Sequence, residues 1–135
     1  MSKLRSTVRA ATAIFCRDPW WAELWSALTA LAWVVLSYAS TEQLAVWPSM
    51  QVLLQISDDR FWQLIGLCLG LAQLTFLFCN RRWLRWSAAI FLTWFWAVLT
   101  LGVWVAVPGA PGVAVYAGWC GVNLLSTLRH FHRPK

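Results

Sequence analysis

Charge is what this chain has least of. Charged residues make up 12% of its 135 positions, against about 25% in soluble domains. At 60% hydrophobic, the chain has no room for a separate soluble domain. Cysteine is sparse and scattered: Cys16, Cys68, Cys79 and Cys120 form no Cys-x-x-Cys pair. That argues against a disulfide scaffold or an outward-facing redox enzyme and leaves ordinary reduced or buried thiols. No glycine-rich phosphate loop or nucleophile elbow is present. Between their caps, the apolar stretches carry no Asp, Glu, Lys, Arg or His at mid-depth. An ionisable group there would mark a proton path, an intramembrane protease or a redox relay. An enzyme is therefore the least expected class, and no cofactor or metal is implied. His130 and His132, an HxH pair in a basic tail, have no acidic or cysteine partner close in sequence. They read as interfacial tail residues.

What the chain does have is four long apolar stretches. The expected fold is all-α: one integral membrane bundle of four transmembrane helices over 1–135. An N-terminal interfacial amphipathic helix (1–17) and a short outer-loop helix complete it. The spans are expected at about 19–39, 58–79, 86–107 and 113–128, near the ~20 residues that cross the hydrocarbon. In the first segment Leu4, Val8, Ala11 and Phe15 share one helical face and Arg5 and Arg9 lie toward another, the pattern of a helix on an anionic surface. No clean small-x-small cleavage site follows it, so cleavage is not expected. Asp18-Pro19 starts the first span, with Asp as cap and Pro at the first helical position. Glu23 follows in the first turn, where the helix dipole favours it. Pro48 starts the short outer helix to Ile56, with Met50, Leu53, Leu54 and Ile56 as its apolar residues. Asn80 to Trp86 reads as a tight basic turn, and Pro108 to Gly112 as a breaker-rich one.

The positive charges fall on one side. Lys3, Arg5, Arg9, Arg17, Arg81, Arg82, Arg85, Arg129, Arg133 and Lys135 share it, and only Arg60 lies opposite. Basic loops stay cytoplasmic, so both termini are expected inside, which needs an even number of spans. The net charge of +6 flanks apolar segments and forms no patch of the kind that binds nucleic acid. It is read as topogenic, with a secondary attraction to anionic lipid at the inner face. Arg81, Arg82, Arg85 and Arg129 are the inner basic anchors. Tryptophan is abundant, at 12 residues. Trp20, Trp21, Trp83 and Trp86 mark the inner interface, and Trp47, Trp62 and Trp104 the outer one. Trp33, Trp94, Trp96 and Trp119 lie deeper and need helix packing.

Two sets of residues are candidates for holding helices together. Gly66 and Gly70 form a GxxxG motif that lets backbones approach. Ala22, Ser26 and Ala30 repeat that spacing in the first span, as do Ala114 with Gly118 and Ala117 with Gly121 in the fourth. They fit intramolecular packing, with self-association as the alternative. The second set is an uncharged intramembrane layer of Thr29, Gln73, Thr93 and Asn123, all in the inner part of the membrane. Gln73 and Asn123 are placed to bond across the second and fourth spans. The layer is expected to set helix register, or else to line a polar path.

The stretches Trp47-Pro48-Ser49-Met50 and Gln55-Ile56-Ser57-Asp58-Asp59-Arg60-Phe61-Trp62, with Gly66, Gly70, Gln73, Arg81-Arg82, Tyr116 and Asn123, carry a family likeness. Through them the chain resembles small four-span membrane proteins of proteobacterial phages and prophages. That resemblance implies a bacterial inner-membrane protein without catalytic residues, acting through helix assembly and including holin-like permeabilisation. The chain is also similar to the small multidrug transporters in having four short spans. It departs from them in that their acidic residue sits within the first span, whereas Glu23 lies near its inner end. A small transporter or channel, or an accessory subunit docking a partner, are the alternatives. The outer 48–56 segment or the basic turn around Arg81, Arg82 and Arg85 would make that contact.

Overall fold

The computed structural model describes residues 19–39, 48–79 and 81–132, the side chain of His132 excepted. The expected interfacial helix over 1–17, the Asp18 cap, Trp47, Arg133 and Lys135 lie outside the described residues. All regular structure among the described residues is helical: α1 (Trp20–Ala39), a 3-10 turn (Pro48–Met50) running into α2 (Gln51–Ile56), α3 (Asp59–Cys79), α4 (Arg82–Ala106) and α5 (Pro111–His132). Three of these, α1, α3 and α4, are long and apolar enough to cross a membrane, as a membrane protein requires. The expected fourth span is different. At 22 residues α5 has the length, but glycines, Asn123, Ser126 and Thr127 leave it less apolar than the other three.

Two boundaries move in a way that matters below. The basic turn expected over Asn80 to Trp86 is mostly helix, because the amides of Leu84 and Arg85 both bond the Arg81 carbonyl, each at 3.1 Å. The expected tail after Leu128 is helix as well, and α5 runs on to His132. Both extensions add a turn of helix where the arginines and His130 lie.

The helices pair as two antiparallel hairpins. In the first, α1 buries Glu23, Ser26, Ala27, Ala30, Val34 and Ser37, a stripe at three- and four-residue spacing. Against it α3 buries Gly66, Gly70 and Gln73. Small side chains on both faces bring the backbones close. A Cβ on Gly66 would lie 2.9 Å from Val34 Cγ2, and one on Gly70 2.9 Å from Leu31 Cδ2. In the second hairpin, α4 and α5 turn through Val107 to Ala110, whose amide bonds the Val107 carbonyl at 3.0 Å. Gly118 and Gly121 meet nothing within 4 Å, so the small stripe of α5 faces away from the bundle.

The apolar core lies toward the end carrying α2. Leu92, Phe95, Trp96, Leu99 and Val103 of α4 fill it with Ala30, Met50, Leu53 and Trp62. Trp33 meets Phe95 edge-on, and Trp96 stacks on Tyr116, which accounts for two of the deep tryptophans. Trp94 is half-exposed on the outer surface. The α2 segment closes this end: Met50 and Leu53 are buried, and Ile56 is not. Trp62 Nε1 donates to the Leu53 carbonyl at 3.0 Å. Replacing Trp62 with phenylalanine keeps one aromatic ring but removes the donor and the pyrrole half of a buried indole. The variant should lose about 1 kcal/mol for the hydrogen bond and more for the space left behind, read as a lower melting midpoint together with faster proteolysis within 48–56.

Polarity is distributed inside out. The surface shows Leu36, Tyr38, Phe78, Val105 and Phe131, each more than 60% exposed, while Glu23, Gln73 and Asn123 are 1% exposed. Water would oppose that arrangement, since so much exposed apolar surface is unfavourable there. Hydrocarbon favours it.

Candidate functional site

Glu23, Ser26, Gln73, Arg85, Asn123, Ser126 and His130 form one buried polar seam toward the end of the bundle opposite α2, while buried Ser37 and Gln63 lie at the α2 end. The centre of the seam is Glu23, one turn into α1. Glu23 Oε2 accepts from Arg85 Nε of α4 at 2.7 Å. Its other oxygen, Oε1, accepts from Ser126 Oγ of α5 at 2.8 Å and faces His130 Nε2 at 2.5 Å. The carboxylate is 1% exposed, Arg85 5% and His130 8%. One carboxylate therefore ties three helices together. A second contact braces the cluster: the Arg82 guanidinium donates through Nε, at 3.0 Å, and Nη2 to the His130 carbonyl. That carbonyl lies in the last turn of α5, where intrahelical donors run out.

Above the charged cluster lies an uncharged layer. Ser26 Oγ of α1 donates to Asn123 Oδ1 at 2.9 Å. Gln73 Nε2 of α3 lies 3.5 Å from the same oxygen, and Asn123 Nδ2 donates to the Trp119 carbonyl at 2.9 Å. Of the four residues expected in this layer, Gln73 and Asn123 meet. Thr29 and Thr93 instead donate to their own helices, at the carbonyls of Trp25 and Ala89. Ser26 takes the place expected of Thr29. Farther along, Trp33 Nε1 donates to Tyr116 Oη at 3.2 Å, and beyond that pair the apolar core begins.

Several expectations change at this site. His130, read as a tail residue, is a buried member of the cluster. Arg85, read as an anchor at the surface, is buried against Glu23. Glu23, read as a favourable charge at a helix start, is the hub. Arg81 and Arg82 remain exposed and Arg129 is half-buried. Helical spacing carries a partial signal of which residues share a face, though not of their contacts across helices. Glu23 and Ser26 are three apart; Asn123, Ser126 and His130 stand at three and seven. Each set lies on one helical face. Reading the fourth helix as ending at Leu128 hid the last member.

The chemistry open to this cluster follows from its order. Acyl transfer by a serine needs a histidine between hydroxyl and acid, to take the proton. Here the acid sits in the middle: Ser126 and His130 both meet Glu23 Oε1, and the hydroxyl donates to the carboxylate instead of to the imidazole. The carboxylate has partners on both oxygens and is 1% exposed, so it is matched within the bundle. Among the described residues no group of three or more His, Cys, Asp or Glu side chains could hold a metal ion. No protein-family model, curated protein or solved structure matches the chain.

Proposed function

We propose that this chain is a non-enzymatic, multi-pass protein of the bacterial inner membrane that works by assembling with other membrane-embedded chains. In this reading α5 is a fourth crossing. It runs antiparallel to α4 from Gly112 beside Val103 to His130 beside Arg82, and its 22 residues reach about 33 Å at 1.5 Å per residue. Both termini then lie in the cytoplasm, on the side of the ten basic residues, and the Glu23 cluster lies at the inner end. The observation that carries the reading is the closed interior under an apolar exterior. Charged groups are matched inside, aromatic and aliphatic side chains fill the other half, and the faces left for contact are apolar.

A second reading, a small transporter, draws on one specific observation. Glu23 is an ionisable group buried between helices, and such groups mark substrate or proton paths in many membrane proteins. Against it stands the pairing of Glu23 with Arg85, which leaves the carboxylate no charge to offer a cation.

Induction in a bacterium, with membrane potential and optical density followed with and without a co-expressed endolysin, tests the assembly reading. The expected result is an intact potential, normal growth and a discrete complex in mild detergent. Abrupt depolarisation, with lysis only when endolysin is present, would replace it with holin-like permeabilisation. Altered uptake of one solute at intact potential would favour the transporter.

A further inference from the structure

Beside the seam and sharing His130 with it, the start of α4 and the end of α5 border an open groove of about 600 Å³ lined by Arg81, Arg82, Trp83, Trp86, His130 and Phe131. We propose that this groove binds the phosphate headgroup of an anionic phospholipid of the inner leaflet. The proposal rests on the membrane reading above and goes beyond it by naming a ligand and a site.

The walls have two chemistries that a lipid headgroup region combines. Arg81 and Arg82 are exposed at the rim, and the guanidinium fork matches phosphate oxygens in geometry and charge. Arg82 is held in place through the His130 carbonyl, so its position is set before any ligand arrives. Trp83 is 65% exposed and Phe131 75%. Aromatic rings at the ends of apolar helices sit at headgroup level and offer a surface for glycerol and the first methylenes. A soluble anion would use the arginines and leave these rings in water. The nearest acid among the described residues that contacts this wall is Glu23, through His130. It is buried and paired with Arg85, so among the described residues no carboxylate faces the groove.

The test uses the full chain reconstituted in nanodiscs of phosphatidylcholine with a minor share of phosphatidylglycerol, and counts retained lipids by native mass spectrometry. The wild type should retain phosphatidylglycerol about tenfold above its share of the disc. Arg81→Gln, which leaves the Arg82 contact to His130 intact, should lose most of that enrichment. Trp83→Ala should reduce it. Arg60→Gln, at the opposite end of the bundle, should keep it, and all variants should melt near the wild type in pure phosphatidylcholine. Three results would overturn the site: no enrichment, equal loss in Arg60→Gln, or displacement by tens of millimolar inorganic phosphate, which would make it a free-anion site. A chain that fails to enter phosphatidylcholine discs at all would refute the membrane reading. A chain that enters them without preference refutes only the lipid site.

Discussion

Arg85→Ala should be among the most damaging single substitutions in this chain, at a cost of about 3–5 kcal/mol. The reason is the state it leaves behind. Glu23 stays 1% exposed, one turn into an apolar helix, with its best-oriented cation gone and only Ser126 and His130 facing it. Removing both charges is a different experiment. Glu23→Leu with Arg85→Met deletes the desolvation cost together with the attraction, and such replacements are often neutral or stabilising. The double variant should therefore be far more stable than Arg85→Ala alone. Unfolding in mixed micelles against increasing dodecyl sulfate measures both variants against the wild type. A loss below about 1 kcal/mol for Arg85→Ala would mean the pair is solvated and the bundle is not closed there. The same double variant separates structure from activity. If it folds well yet does not form the complex expected of the wild type, the charges are kept for what the protein does.

The case of Glu23 also marks how far the residues alone could be read. The all-helical class and the positions of α1 and α3 followed from apolar run length, with Pro19 beside the start of the first. The placing of Glu23 and Arg85 at one end of the bundle was implicit in the charge asymmetry, since both lie near the basic ends of their spans. Their contact was not, because hydropathy treats any charge near a helix end as facing water. The decisive residue was His130. An Arg-His-Phe-His run after Leu128 has the composition of a tail, and composition carries no information about whether a helix continues. It continues because the Arg82 guanidinium and the Glu23 carboxylate, both distant in sequence, supply partners for its last turn. Tertiary contacts of this kind are invisible to periodicity. The α2 lid was partly legible: Met50 and Leu53 were marked as apolar, but only Trp62 and the bare backbone at Gly102 determine which way they turn. A Cβ on Gly102 would lie 2.7 Å from Leu53 Cδ2.

Gly66→Leu should separate α1 from α3. At Gly66 an added Cβ meets Val34 Cγ2 at 2.9 Å, Phe95 Cζ at 3.2 Å and Trp33 Cε3 at 3.6 Å. None of these can yield cheaply. Valine is stiff at χ1, Phe95 is fully buried, and Trp33 is held by its bond to Tyr116. Overpacking costs about 1–3 kcal/mol and occasionally more, and a leucine at this position belongs at the upper end. Within a membrane the loss is not offset by hydrophobic attraction, because lipid tails are as apolar as the side chains; close packing itself holds the helices. Gly118→Leu is the matched control. It adds the same side chain in a helix of the same bundle, but nothing lies within 4 Å of that site, so stability should change by less than about 0.5 kcal/mol. The pair also locates the assembly surface. If Gly118→Leu leaves the monomer as stable as wild type but dissolves the complex in mild detergent, the open face of α5 is where another chain sits. If both variants unfold alike, α5 is packed on its outer side as tightly as α3 is on its inner one, and the two-hairpin arrangement is wrong.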